Sequence, residues 1–290
     1  MKASGNPWKM LLLAASLLGW SVAFAQAPST QQPPAQQTPA QGQDNKSNTQ
    51  QQAAPLQATP PPVNAEEEAA FKTYNDIPLT DPTKRNQAAL DFLQKYPQSR
   101  YAAQIYSWQV KYYFSVGKID EMEEVGDKEL AMAPNDAQTL AIIGSALPRK
   151  MNASTPEPAK RLAKAEQYSQ KALELLPTFP KPDNMTDEVF AQAKNQTSAM
   201  AYSGLGLVAF RRGKFADAIP HLEKAVQLDP QPDPVNYYLL GICNEKTSHY
   251  DDAVVDFTKC SDMPGGLQAT CKTNIDEAKK LGATQLSAPK

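Results

Sequence analysis

The sequence is poor in the residues that most enzymes use for chemistry. In 290 residues there are 2 histidines and 3 cysteines, too few for most zinc and haem ligand sets. The 13 glycines are outnumbered by 25 prolines and show no phosphate-loop spacing. These shortages argue against a metalloenzyme or a nucleotide enzyme, so no cofactor, no metal site and no catalytic residue is expected. An excess of one charge is also lacking. With 29 basic and 31 acidic side chains the formal charge is −2, which gives no electrostatic reason to expect nucleic acid or anionic lipid as a partner. A small-molecule substrate is likewise not expected.

Long apolar runs are scarce too. The one at the N-terminus, Met10 to Val22, follows Lys2 and Lys9 and precedes Ala23-Phe24-Ala25 and Gln26. Positive charge, apolar run and small-x-small triplet in that order make a secretory signal peptide cleaved after Ala25. The run is short for a spanning helix, which needs about 20 residues. An uncleaved anchor is the other reading and the only membrane attachment to consider. Without Lys2 and Lys9 the remainder carries 27 basic and 31 acidic residues, a net of −4. The expected location is periplasmic or secreted. Residues 26–64 hold 11 Gln and 8 Pro in 39 positions and no aromatic residue. Such a segment cannot bury enough surface to offset its chain entropy and is expected to be a disordered linker.

From Ala65 onward the chain repeats. Tyr202, Leu205 and Gly206 recur as Tyr237, Leu240 and Gly241. An alanine follows each glycine after 12 residues, Ala218 and Ala253, and a small residue 7 further on, Ala225 and Cys260. Pro230 and Pro264 close the units, so the period is 34 to 35 residues. This pattern resembles the tetratricopeptide repeat, a helix-turn-helix unit of which several must stack to make a core. The small residues fit where two helices approach closely, and Leu205, Leu222 and Phe257 fill the space beside them. Weaker copies carry Tyr106, Gly117, Leu130 and Pro134, then Leu140, Ile143, Gly144, Ala165, Ala172 and Pro177.

The expected fold is all-α, a tetratricopeptide-like helical-hairpin solenoid with a C-terminal capping helix. Its units are about 65–97, 103–136, 137–178, 199–231 and 234–264, with a cap at 266–282 and a flexible tail at 283–290. Pro148 to Pro158 reads as an enlarged surface loop. Thr186 to Arg212 reads as one long helix capped by Thr186. Pro220 falls inside its helix, where it removes one backbone bond. The run Phe92-Leu93-Gln94-Lys95-Tyr96-Pro97-Gln98-Ser99 resembles repeats of periplasmic outer-membrane-assembly and cell-division coordinator proteins. Those factors are often lipid-anchored, and no cysteine stands at the cleavage point here.

Leu267, Cys271, Ile275, Ala278 and Leu281 form one helical stripe that should pack on the last repeat. A Cys260–Cys271 disulfide would staple it; two free thiols, or a pairing that uses Cys243, are the alternatives. In the family the first helices of successive repeats line a groove. Position by position this implies a peptide-binding face of Gln104, Ser107, Lys111 and Phe114, then Met200, Ser203, Leu207 and Phe210, then Tyr238, Ile242 and Glu245. The lysine and asparagine pattern with which relatives clamp chaperone tails is absent. His221 and His249 fall in different repeats and read as solvated. The resemblance implies an exported, non-enzymatic scaffold that binds a protein or peptide, with a place in cell-envelope assembly. A purely structural envelope protein, or a non-catalytic subunit of an envelope enzyme complex, is the alternative.

Overall fold

Five polar side chains start helices. Asn64, Asp81, Asp136, Thr186 and Asp233 accept from backbone N–H groups two or three residues on, satisfying first-turn donors that no helical carbonyl reaches. Prolines occupy the first helical position at Pro82, Pro158 and Pro234, where a missing N–H costs nothing. The computed structural model describes residues 64–152 and 154–287. The signal segment, the Gln/Pro segment up to residue 63 and residues 288–290 lie outside the described residues.

The described residues form eleven α-helices and no strand. They are α1 (Ala65–Asn75), α2 (Pro82–Lys95), α3 (Ala102–Ser115), α4 (Ile119–Met132), α5 (Ala137–Ala146), α6 (Pro158–Leu175), α7 (Asp187–Arg211), α8 (Phe215–Leu228), α9 (Pro234–Lys246), α10 (Tyr250–Asp262) and α11 (Gln268–Ser287). A 3-10 turn, Leu176–Thr178, extends α6. The long helix forms as expected, with Thr186 accepting from the N–H of Val189. Pro220 sits inside α8.

Three hairpins turn in the same way. Gly117 and Gly213 adopt φ of 72° and Ser248 adopts 64°. The next residue then donates its N–H back to a carbonyl five residues earlier: Lys118 to Tyr113, Lys214 to Ala209 and His249 to Asn244, at 2.8–2.9 Å. This closes the end of each first helix. Within the hairpins the small residues do what their spacing predicts. A Cβ on Gly206 would lie 2.6 Å from Cγ of Leu222, and one on Gly241 would lie 2.5 Å from Cε1 of Phe257. The glycines therefore let a large side chain of the second helix reach the backbone of the first.

The first helices α3, α5, α7 and α9 pack on one another in succession and form the inner row of the array. The second helices α4, α6, α8 and α10 lie outside that row. On the outer side Asp120, Glu123 and Asp127 of α4 pair with Lys150, Arg161 and Lys164 at 2.7–3.0 Å. The centre of the array is α5, which is buried on all sides through Leu147. That matches its composition, AQTLAIIGSA, which has no charged residue to face water. A Cβ on Gly204 would lie 2.9 Å from the carbonyl of Gly144, so α5 and α7 cross with backbones nearly touching.

Two expectations need correction. The connection from Pro148 to Pro158 is not wholly at the surface. Leu147 and Pro148 are buried and Arg149 turns inward, because the end of α5 is apolar and its only cover is its own chain. The cap helix is also longer than 266–282. It runs on to Ser287, so residues 283–287 are helix and not tail. Its packing face is Cys271, Ile275, Ala278 and Gly282, against Tyr250, Ala253 and Phe257. Leu281 points away and is 36% exposed. The stripe drifts around the helix, and the position facing Tyr250 is taken by a glycine, where an added Cβ would lie 3.3 Å from the tyrosine's Cβ.

Candidate protein-binding face

Cys260 and Cys271 are joined by a disulfide with their Cα atoms 6.0 Å apart, and Cys243 is a free, fully buried thiol. Burial pushes that thiol up to about 12, so it stays protonated and inert. The cap thus closes the C-terminal end of the inner row and leaves the row's solvent side as the face to examine.

That face divides into three stretches. On α3, Gln104, Ser107, Lys111 and Phe114 are all half-buried. Phe114 packs on the central core. The Ser107 hydroxyl donates to the Asp136 carboxylate at 3.4 Å, while the other carboxylate oxygen of Asp136 caps α5. Lys111 has no hydrogen-bond partner or ion pair among the described residues. Burial lowers its pKa, a shift that the nearby Asp136 carboxylate opposes only in part. Glu129 is 1% exposed. Burial, with Asp136 beside it, pushes its carboxyl up to about 9, so it is neutral at pH 7.

On α7 the residues do not form an open strip. Ser203 and Leu207 are buried, and Met200 and Phe210 are half-buried against the core. Ser203 donates to Asn236 at 2.7 Å and accepts from the guanidinium of Arg149 at 3.2 Å. Arg149 also pairs with Asp233, the cap of α9. Arg211 holds the connection in place by donating to the carbonyl of Pro148 at 2.9 Å. The chain's own Arg149 therefore occupies this stretch. On α9, Tyr238 and Ile242 are half-buried against Phe257 and the cap, and Glu245 stands beside Lys246.

Sequence reasoning missed Arg149 and the ring pair on α3. Trp108 and Tyr112 stack with centroids 5.5 Å apart and planes 9° from parallel. Trp108 also meets Tyr74 edge-on, and the guanidinium of Arg85 lies 4.4 Å from the Tyr74 ring and 5.6 Å from the indole. The i, i+4 spacing of two aromatics was a signal for the ring pair; nothing in the sequence places Arg149 against Asp233.

Histidines do not gather into a site. His249 is exposed and bonds Thr247 at 2.9 Å. His221 is half-buried, and burial lowers its pKa. It stacks on Tyr202 and borders a cleft of about 380 Å³ with Glu166, Gln170, Arg212 and Asp217. The charges there cancel in a Glu166–Arg212 pair at 2.9 Å. No group of three His, Cys, Asp or Glu side chains among the described residues is placed to hold a metal. No helix among them is long and apolar enough to cross a membrane.

Stacked antiparallel helix pairs with small residues at the crossings and an inner row of first helices make an all-α, tetratricopeptide-like solenoid. Residues 199–232, which take in α8 and the repeat part of α7, match the tetratricopeptide repeat family. Among solved structures the chain resembles PilF of Pseudomonas aeruginosa at 17% identity and a TM-score of 0.49, over 76% of this chain and 90% of that one. PilW, described as a widely conserved type IV pilus biogenesis factor, is similar at 16% identity and a TM-score of 0.48, over 78% and 94%. A thermophilic repeat protein of Thermus thermophilus aligns at 15% identity and a TM-score of 0.45, over 73% and 95%. No curated protein matches the sequence.

Proposed function

We propose that this protein is an exported, non-enzymatic scaffold that binds an extended protein segment on the inner row of its repeats, within cell-envelope assembly. The observation that carries the binding reading is the contrast along the row. Ser203 and Leu207 are buried within the chain, whereas Gln104, Ser107, Lys111 and Phe114 on α3 are only half-buried. Half-buried polar and aromatic side chains beside one another are the usual make-up of a protein contact. Tyr238, Ile242 and Glu245 extend the same face at the other end. The export reading rests on Lys2, Lys9, the apolar run and Ala23-Phe24-Ala25.

Photo-crosslinking tests the binding reading. A crosslinking residue at Gln104 in living cells should trap a partner, and one at the exposed Glu124 on α4 should not. Equal labelling from both positions, or none from either, refutes it. N-terminal sequencing tests export: the mature chain should begin at Gln26, and retention of Met1 refutes cleavage.

A further inference from the structure

Three polar groups on α3 stand without a partner on one side of the molecule. They are the Lys111 ammonium, the Trp108 indole N–H and the Tyr112 hydroxyl; none makes a hydrogen bond or ion pair among the described residues, and all three side chains are half-buried. The acids nearest Lys111 do not hydrogen-bond it. Asp136 serves the α5 cap and Ser107, and Glu129 is neutral at pH 7. On the same helix the Trp108 and Tyr112 rings lie parallel and half-buried, and Arg85 and Tyr74 pack against the indole.

From this arrangement we infer that the α3 stretch recognises an acidic side chain next to a flat residue, proline or aromatic, in an extended segment of a partner protein. The inference rests on the proposed binding face and names the chemistry it reads. One desolvated point charge suits one carboxylate, which would restore to Lys111 the solvation that burial removes. Parallel rings with free polar tips offer a flat residue a surface to lie on and edge groups for the peptide backbone.

The chain has three tryptophans, Trp8, Trp20 and Trp108. The full chain carrying W8F and W20F therefore reports on Trp108 alone. A phage-displayed dodecapeptide library, displayed without free C-termini, is panned on this protein. The selected peptides are then synthesised in amidated form with Glu or Asp, and again with Gln or Asn at the same place. Selected sequences should share an acid within two residues of a proline or aromatic. The amide analogue should bind the wild type about tenfold more weakly. K111M should bind both forms within twofold of each other, K111R should restore the preference, and binding should shift the Trp108 emission. Circular dichroism melts check that each variant folds; should K111M melt out, K111Q takes its place. Sequences without a shared acid, a preference that survives in K111M, or an unchanged Trp108 emission overturn this inference and leave the binding face standing. A library that yields no binder overturns both.

Discussion

At Ser248 a β-carbon occupies a backbone conformation that the equivalent hairpins give to Gly117 and Gly213. Left-handed geometry costs an L-residue on the order of 1 kcal/mol. Ser248→Gly should therefore stabilise the protein by up to about 1 kcal/mol, read as a higher urea midpoint with an unchanged slope. Asp256 gives a second single-residue test. It is buried between α9 and α10, accepts from the Asn244 amide at 2.9 Å, and burial raises its pKa from 3.8 to about 6. The folded state thus holds a proton that the unfolded chain has released. Its contribution is fully present below pH 3.8 and is lost as pH rises through about 6. Asp256→Asn keeps the acceptor oxygen and removes the charge. Its melting temperature should exceed that of the wild type at pH 7.5, and the gain should vanish by pH 4. A gain of the same size at both pH values refutes the ionisation argument.

At the C-terminal end of the array α11 packs chiefly on α10, and the Cys260–Cys271 bond ties it there. A disulfide of this kind contributes roughly 2–4 kcal/mol. Cys271→Ser should lower the melting temperature under non-reducing conditions, and reduction of the wild type should loosen α11 first. Hydrogen exchange should then quicken in α11 while α3 to α8 stay protected, because Ile275 and Ala278 still hold the helix but no longer fix its ends. Mass mapping that finds both thiols alkylated without prior reduction removes the staple. The existence of the cap was legible from Leu267, Cys271, Ile275 and Ala278. Its true face was not, since the close approach of Tyr250 to Gly282 and the exposure of Leu281 arise only in the packed array.

On the scale of the whole array, Arg149 joins the α5–α6 connection to α7 and α9 through Ser203 and Asp233. With side-chain exposures of 22% and 36% the ion pair is only partly screened. Arg149→Ala should cost about 1–2 kcal/mol and speed exchange both at 147–152 and at the start of α9. A change confined to the connection would mean that Arg149 does not couple the repeats. Limited proteolysis should remove residues 26–64 quickly and leave a resistant fragment from near Ala65. Most of this architecture is local and therefore readable along the chain. Caps at Asp81, Asp136, Thr186 and Asp233, prolines at Pro82, Pro158 and Pro234, and the 34–35-residue recurrence of small and large positions all act within a turn or a hairpin. The open or closed state of the inner face is different. It depends on side chains 54 and 84 residues from their partners, Arg149 on Ser203 and on Asp233, and on Lys111 meeting Asp136 and a neutral Glu129 across three helices. Periodicity assigns a residue to a face of its own helix; only the packed array determines what that face meets, since burial and the pairing of charges arise between elements and not within them.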